Sequence, residues 1–186
     1  MNKKTLLIIA VVVVLVIGVG VAFFALGTNK TTNKTTSDVK TVATTQSNDY
    51  YFKNGELKLQ DAKLVITDTK VIPVGEKGNE YGKKPVIAFW FKTTNLSDKE
   101  LTGTDVWISS MQAYQDNNPN TVNKLEVGGL PDDRFLQTQF EKIKQNGTAE
   151  DAIAYELDDT TTPVLLKATK GMSGEALGKQ TFNIKK

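Results

Sequence analysis

The first regularity along the chain is an unbroken apolar run from Leu6 to Leu26, rich in Val and Ile and interrupted only by Gly18 and Gly20. At a rise of about 1.5 Å per residue, roughly 20 such residues cross the hydrocarbon core of a bilayer. In lipid a lone span must satisfy its own peptide groups, so the run is expected to be helical despite its β-branched content. Lys3 and Lys4 precede it, as in the charged opening of an export signal. The run is longer than the usual apolar part of a cleaved signal, and Ala25-Leu26-Gly27 is the one small-x-small site near its end. The sequence therefore predicts an uncleaved N-terminal transmembrane helix, a signal-anchor segment over residues 1–27. Lysines nearly balance across it (Lys3 and Lys4 against Lys30 and Lys34), and the N-terminal pair favours a C-terminal part outside the cell.

The pattern then changes twice. Residues 28–49 are dominated by Thr, Asn, Lys and Ser and contain a small repeat, Thr28-Asn29-Lys30-Thr31-Thr32 followed by Thr32-Asn33-Lys34-Thr35-Thr36. With so few apolar residues the segment cannot offset the entropy of ordering itself, and it reads as a flexible linker spanning about 26 Å. From residue 50 to 186 the texture is that of one folded domain. Asn54-Gly55 sits between Tyr50-Tyr51-Phe52 and Glu56-Leu57-Lys58-Leu59, the signature of a two-residue hairpin turn. Two further strands are expected at Lys63–Thr67 and Lys70–Val74. Pro85 to Thr94 is too continuously apolar for a strand with one exposed face, which predicts a central core strand with Phe89 and Phe91 on one side and Trp90 on the other. Later strands are read at Met111–Gln115, Ala152–Leu157, Pro163–Ala168 and Gln180–Ile184. Gln145-Asn146-Gly147-Thr148 forms a turn, and Thr104-Asp105 caps a short helix through Ile108. Short strands with turn signals and little helix define an all-β, antiparallel β-sandwich.

Composition narrows the chemistry. The chain has no Cys and no His, which removes disulfides, thiol nucleophiles, lipid-accepting cysteines, imidazole bases and His-ligated zinc. A net charge of +2 offers no case for nucleic acid. The acidic pairs Asp132-Asp133 and Asp158-Asp159 lack the spacing of a calcium loop, and no two carboxylates stand out as a glycosidase pair. Ser109, Ser110 and Ser173 have no base motif beside them, and Gly171-Met172-Ser173-Gly174 is not a phosphate-binding loop. No catalytic residue, metal site or cofactor is assigned, and the domain is read as a non-enzyme.

Ala113-Tyr114-Gln115-Asp116, with Lys84-Pro85-Val86 leading to Asn95, Asn146-Gly147, and Tyr155-Glu156-Leu157 before Pro163-Val164, resembles a family of uncharacterised Gram-positive proteins. These secreted or membrane-tethered proteins carry an AYQDG-like motif, in a domain-of-unknown-function family near the telokin-like group. In this chain Asn117 stands where that motif has Gly. The resemblance implies an immunoglobulin-like sandwich outside the membrane and brings no activity with it.

The exposed aromatics remain as binding candidates: Tyr50, Tyr51 and Phe52, and Tyr114 with Gln115 and Asp116. The expected role is non-catalytic binding or scaffolding at a bacterial cell surface, the partner being a peptide, a glycan or another cell-envelope protein. Strand addition to an open sheet edge is one physically reasonable mode. Two alternatives stand beside it, a secreted effector or immunity-type protein released by cleavage, and a carboxylate-based hydrolase of envelope polymers.

Overall fold

The computed structural model describes residues 50–184. The predicted transmembrane segment and linker lie outside the described residues. Among the described residues no helix is long and apolar enough to cross a membrane.

Among the described residues, eight antiparallel strands form two sheets. Strands β1 (Tyr51–Lys53), β2 (Glu56–Lys58), β3 (Ala62–Ile72), β4 (Val86–Asn95) and β6 (Thr148–Glu156) make a five-stranded sheet in the order β1-β2-β3-β4-β6. Strands β5 (Met111–Gln115), β7 (Val164–Thr169) and β8 (Ala176–Phe182) make a three-stranded sheet in the order β5-β7-β8. One apolar cluster draws on both sheets, including Leu57, Leu64, Phe89 and Phe91 from one and Met111, Ala113, Val164 and Leu166 from the other. Burying one face of each sheet against the other is what defines a β-sandwich.

Asn54 and Gly55 adopt φ of 52° and 75°, the pair of positive angles that a type I′ hairpin needs. The core strand is central, paired to β3 on one side and β6 on the other. Its Phe89 and Phe91 are buried on the inner face, while Val86 and Ala88 join Ile72, Ala154 and Trp90 in a smaller cluster on the outer face.

Three local expectations are corrected. The two strands expected at Lys63–Thr67 and Lys70–Val74 are one strand, β3, with a bulge between Ile66 and Asp68. Leu64 and Ile66 pair with inward-facing residues of β4 before the bulge, Thr69 and Val71 after it. The extra residue reverses the alternation, so the sequence pattern breaks where the strand does not. The helix α1 spans Gly103–Ser110 and its N-cap is Thr102, whose side chain accepts the backbone N–H of Asp105 at 3.0 Å. Trp107 is thereby carried into the core between Phe89 and Phe91, with ring centroids 5.4 and 4.7 Å away.

The third correction concerns the sheet edges. A single extended segment, Asn123 to Gly128, covers edges of both sheets. Asn123 and Leu125 bond to Gln115 and Ala113 of β5 (3.1 and 2.9 Å), then Glu126 and Gly128 bond to Glu156 and Ala154 of β6 (both 2.9 Å). At the opposite side β1 and β8 abut. The N–H of Gly55 donates to Gln180 Oε1 at 2.6 Å, and a Cβ on Gly178 would lie 2.1 Å from the Phe52 carbonyl oxygen. Strand addition at the β5 edge or at the C-terminal half of β6 would have to displace this strap.

Candidate functional site

Alternation along β5 sorts the AYQD residues onto opposite faces. Ala113 and Gln115 are buried, whereas Tyr114 is half-buried on the outer face of the small sheet. Its cross-strand neighbour is Leu165, and Lys167 lies opposite Gln112 on the same face. The Lys167 ammonium stands 4.3 Å from the centroid of the Tyr114 ring, a cation–π contact, and the Tyr114 hydroxyl donates to Gln112 Oε1. The Asp116–Asn123 loop forms the remaining wall, enclosing with these side chains a cleft of about 360 Å³.

Gln115 holds that wall from below. Its Nε2 donates to the carbonyls of Asp159 (3.0 Å) and Thr162 (2.8 Å), and its Oε1 accepts the N–H groups of Asp158 (2.8 Å) and Asp159 (3.4 Å). All the hydrogen-bonding directions of the amide are thus used on one turn. The acidic pair in that turn completes the lattice. Asp158 receives Lys84 and Asn123, both at 2.7 Å, and Asp159 receives Asn117 at 2.9 Å and the N–H of Thr162 at 2.6 Å. The Lys84 ammonium, then Asn123, lowers the Asp158 pKa. The Thr162 backbone N–H, followed by Asn117, holds Asp159 well below the usual carboxylate range. These carboxylates act as structural acceptors. The other pair is equally committed at Asp132, whose pKa the Arg134 guanidinium lowers strongly.

Of the residues singled out by sequence, Tyr114 and Asp116 line the cleft, with Gln115 supporting it by its buried side chain. Phe52 is 3% exposed and belongs to the core, so its side chain offers nothing to a surface patch. Tyr51 donates to Glu56 Oε1 at 2.6 Å, and Tyr50 sits under the Lys170 ammonium at 4.6 Å. Tyr51 and Phe52 belong to β1, in the other sheet from Tyr114. Sequence reading missed Leu165 and Lys167, although the β7 alternation of buried Val164 and Leu166 with less buried neighbours carries the signal. Among the described residues no group of three or more acidic side chains is placed to hold a metal ion.

The cleft offers amide, hydroxyl and ammonium groups around one aromatic ring, an arrangement suited to holding a polar ligand by hydrogen bonds and ring contact.

The chain matches a known family. Residues 28–170 match the family described as Domain of unknown function (DUF5067), and the chain belongs to it. No curated protein matches the chain. Among solved structures the fold is similar to that of a proposed lipoprotein from Staphylococcus aureus subsp. aureus NCTC 8325. The TM-score is 0.62 at 23% sequence identity, covering 73% of this chain and 92% of that one. At that identity the likeness concerns the fold.

Proposed function

We propose that this protein is a membrane-tethered, extracytoplasmic β-sandwich module with a non-catalytic binding or scaffolding role at the bacterial cell surface. The observation that carries the reading is the cleft over Tyr114, Leu165 and Lys167, walled by a loop that Gln115 and the Asp158–Thr162 turn hold in place. A preformed polar cleft binds without first ordering its own walls. The order of segments supports the location: an apolar run of membrane-spanning length, a Thr- and Asn-rich tether, then the folded domain. A fold shared with a proposed lipoprotein is consistent with attachment to an envelope. The ligand is a peptide, a glycan or another envelope protein, received in the cleft, since the strap covers the β5 edge and part of β6.

Co-sedimentation of the detergent-solubilised full chain with purified cell-envelope material tests the binding role. Wild-type protein is expected in the pellet, and Tyr114→Ala with Lys167→Ala is expected to pellet to a smaller extent. Equal pelleting of both proteins, or of neither, would contradict the reading.

A further inference from the structure

The outer face of the five-stranded sheet carries a second group of side chains that the Tyr114 cleft does not involve. Trp90 is presented there by β4, with Asp68 of β3 and Ala152 of β6 as its cross-strand neighbours. Ala88, Ala152 and Ala154 keep the floor around the indole low, and the segment beginning at Pro131 borders it. The indole lines two hollows of about 390 and 300 Å³, which also share the Asp132–Arg134 pair. Asp68 and Glu150 line the first, Lys77 and Asp133 the second, and Lys70 borders both.

The ring is fixed in place. Its Nε1 donates to Asp132 Oδ2 at 2.8 Å, and Arg134 grips the same carboxylate through Nε (3.0 Å) and Nη2 (2.6 Å). The β3 bulge is what sets Asp68 and Lys70 beside it. Without the reversal of alternation after Ile66, Thr69 and Val71 would take the outer positions. Bulges of this kind recur where a strand must re-aim side chains at a binding site. Lys77 reaches the groove from a loop anchored by Asn79, whose Nδ2 donates to the carbonyls of Ile72 (3.2 Å) and Lys84 (2.9 Å). In the same loop a Cβ on Gly78 would lie 2.2 Å from the Pro131 carbonyl.

The charges then decide what fits. Glu150 is paired with Lys92 at 2.8 Å and Asp132 with Arg134 at 2.6 Å. Asp151 borders the first hollow but is buried, its carboxylate accepting Thr104 Oγ1 and the Ala152 N–H. The exposed Lys70, Lys77, Asp68 and Asp133 have no ion-pair partner among the described residues, and their signs cancel. Balanced donors and acceptors around a flat ring suit hydroxyl groups, each of which donates to a carboxylate and accepts from an ammonium. The C–H face of a pyranose ring packs on an indole in the same way as other apolar surface.

We infer that this groove binds an extended, uncharged oligosaccharide, one sugar ring on Trp90 and its neighbours in the two hollows. The inference goes beyond the binding role proposed above, because it concerns a second site and depends on neither the tether nor the Tyr114 cleft. The two tryptophans give a built-in test, because Trp90 lines the groove while Trp107 is fully buried and bonded to Tyr155 at 2.8 Å. ¹⁵N-labelled full chain in a zwitterionic, sugar-free detergent is titrated with chitotetraose and cellotetraose, and the two indole N–H signals are followed. At least one tetrasaccharide is expected to move the Trp90 signal while leaving Trp107 in place, and to bind more tightly than its monosaccharide. Asp68→Ala with Lys70→Ala should weaken that binding about tenfold, with the unmoved Trp107 signal as the control for folding. The inference is overturned if neither tetrasaccharide moves Trp90, if the monosaccharide binds as tightly, or if the double variant binds normally. A failed titration leaves retention on envelope material unaffected, so the two readings fail separately.

Discussion

The side chain of Gln115 grips the peptide backbone of Asp159 from both sides, donating to its carbonyl at 3.0 Å and accepting its N–H at 3.4 Å. Gln115 is fully buried, so these bonds replace water that it cannot reach. The contact ties β5, the start of the cleft loop and the turn before β7 into one unit.

Removing that grip should be costly. Gln115→Ala leaves the N–H of Asp158 and the carbonyl of Thr162 without their partner, and a loss of about 2–4 kcal/mol is expected in urea unfolding. Gln115→Glu should also destabilise, because a carboxylate cannot donate to the two carbonyls.

Where β1 meets β8, Gly178 has φ of 150° and no room for a side chain against the Phe52 carbonyl. Gly178→Ala is expected to lower stability by about 2–4 kcal/mol, read as a fall in thermal midpoint. Gly75 serves as the contrast for space alone, since a Cβ there meets nothing within 4 Å. Its φ of 84° still carries strain, so Gly75→Ala should cost less than Gly178→Ala.

In the core, Trp107 Nε1 donates to the Tyr155 hydroxyl at 2.8 Å, and burial pushes the Tyr155 pKa up to about 12. Tyr155→Phe strands a buried indole N–H and should cost about 1–3 kcal/mol in chemical denaturation.

Asp151 sets one part of the pH dependence. It is buried at the inner face of β6, accepting Thr104 Oγ1 at 2.6 Å and the N–H of Ala152 at 2.7 Å, and burial raises its pKa. A raised carboxyl pKa means that the folded state holds the proton more tightly, so this group's contribution falls as pH rises from the unfolded value through the folded one. Asp132, Asp158 and Asp159 act in the opposite sense: their depressed pKa values give stability that is present above the unfolded value and lost on acidification. Asp151→Asn removes the charge, keeps an amide oxygen to accept the Ala152 N–H, and meets Thr104 Oγ1 with an N–H that donates to the hydroxyl instead of accepting from it. It should match or exceed wild-type stability at pH 7, with the gain shrinking as the pH falls towards 4, measured by urea unfolding across that range.

The sequence made the architecture legible where one residue type has one physical use. Asn54-Gly55 announced its turn through φ, and the apolar run before Asn95 announced a central strand. Local pattern failed where geometry absorbed an irregularity. The Thr67 bulge reversed the alternation and divided β3 on paper, and Thr102 capped the helix two residues before the expected pair. The site was half legible. Tyr114 lines the cleft, yet its neighbour Gln115 turns inward to a turn 44 residues later, a partnership no short window contains. Phe52 read as a surface aromatic beside two tyrosines because nothing local says which side of a three-residue strand meets the core. Trp90 was read for its face of the core strand, but the groove around it depends on Asp132 and Arg134, brought from about forty residues away.

Protease treatment of intact cells expressing the full chain, followed by peptide mass spectrometry, tests the surface assignment most directly. Peptides from residues 50–184 are expected in the supernatant, with the Leu6–Leu26 segment retained in the membrane fraction. A domain that stays protected until the cells are lysed would contradict it.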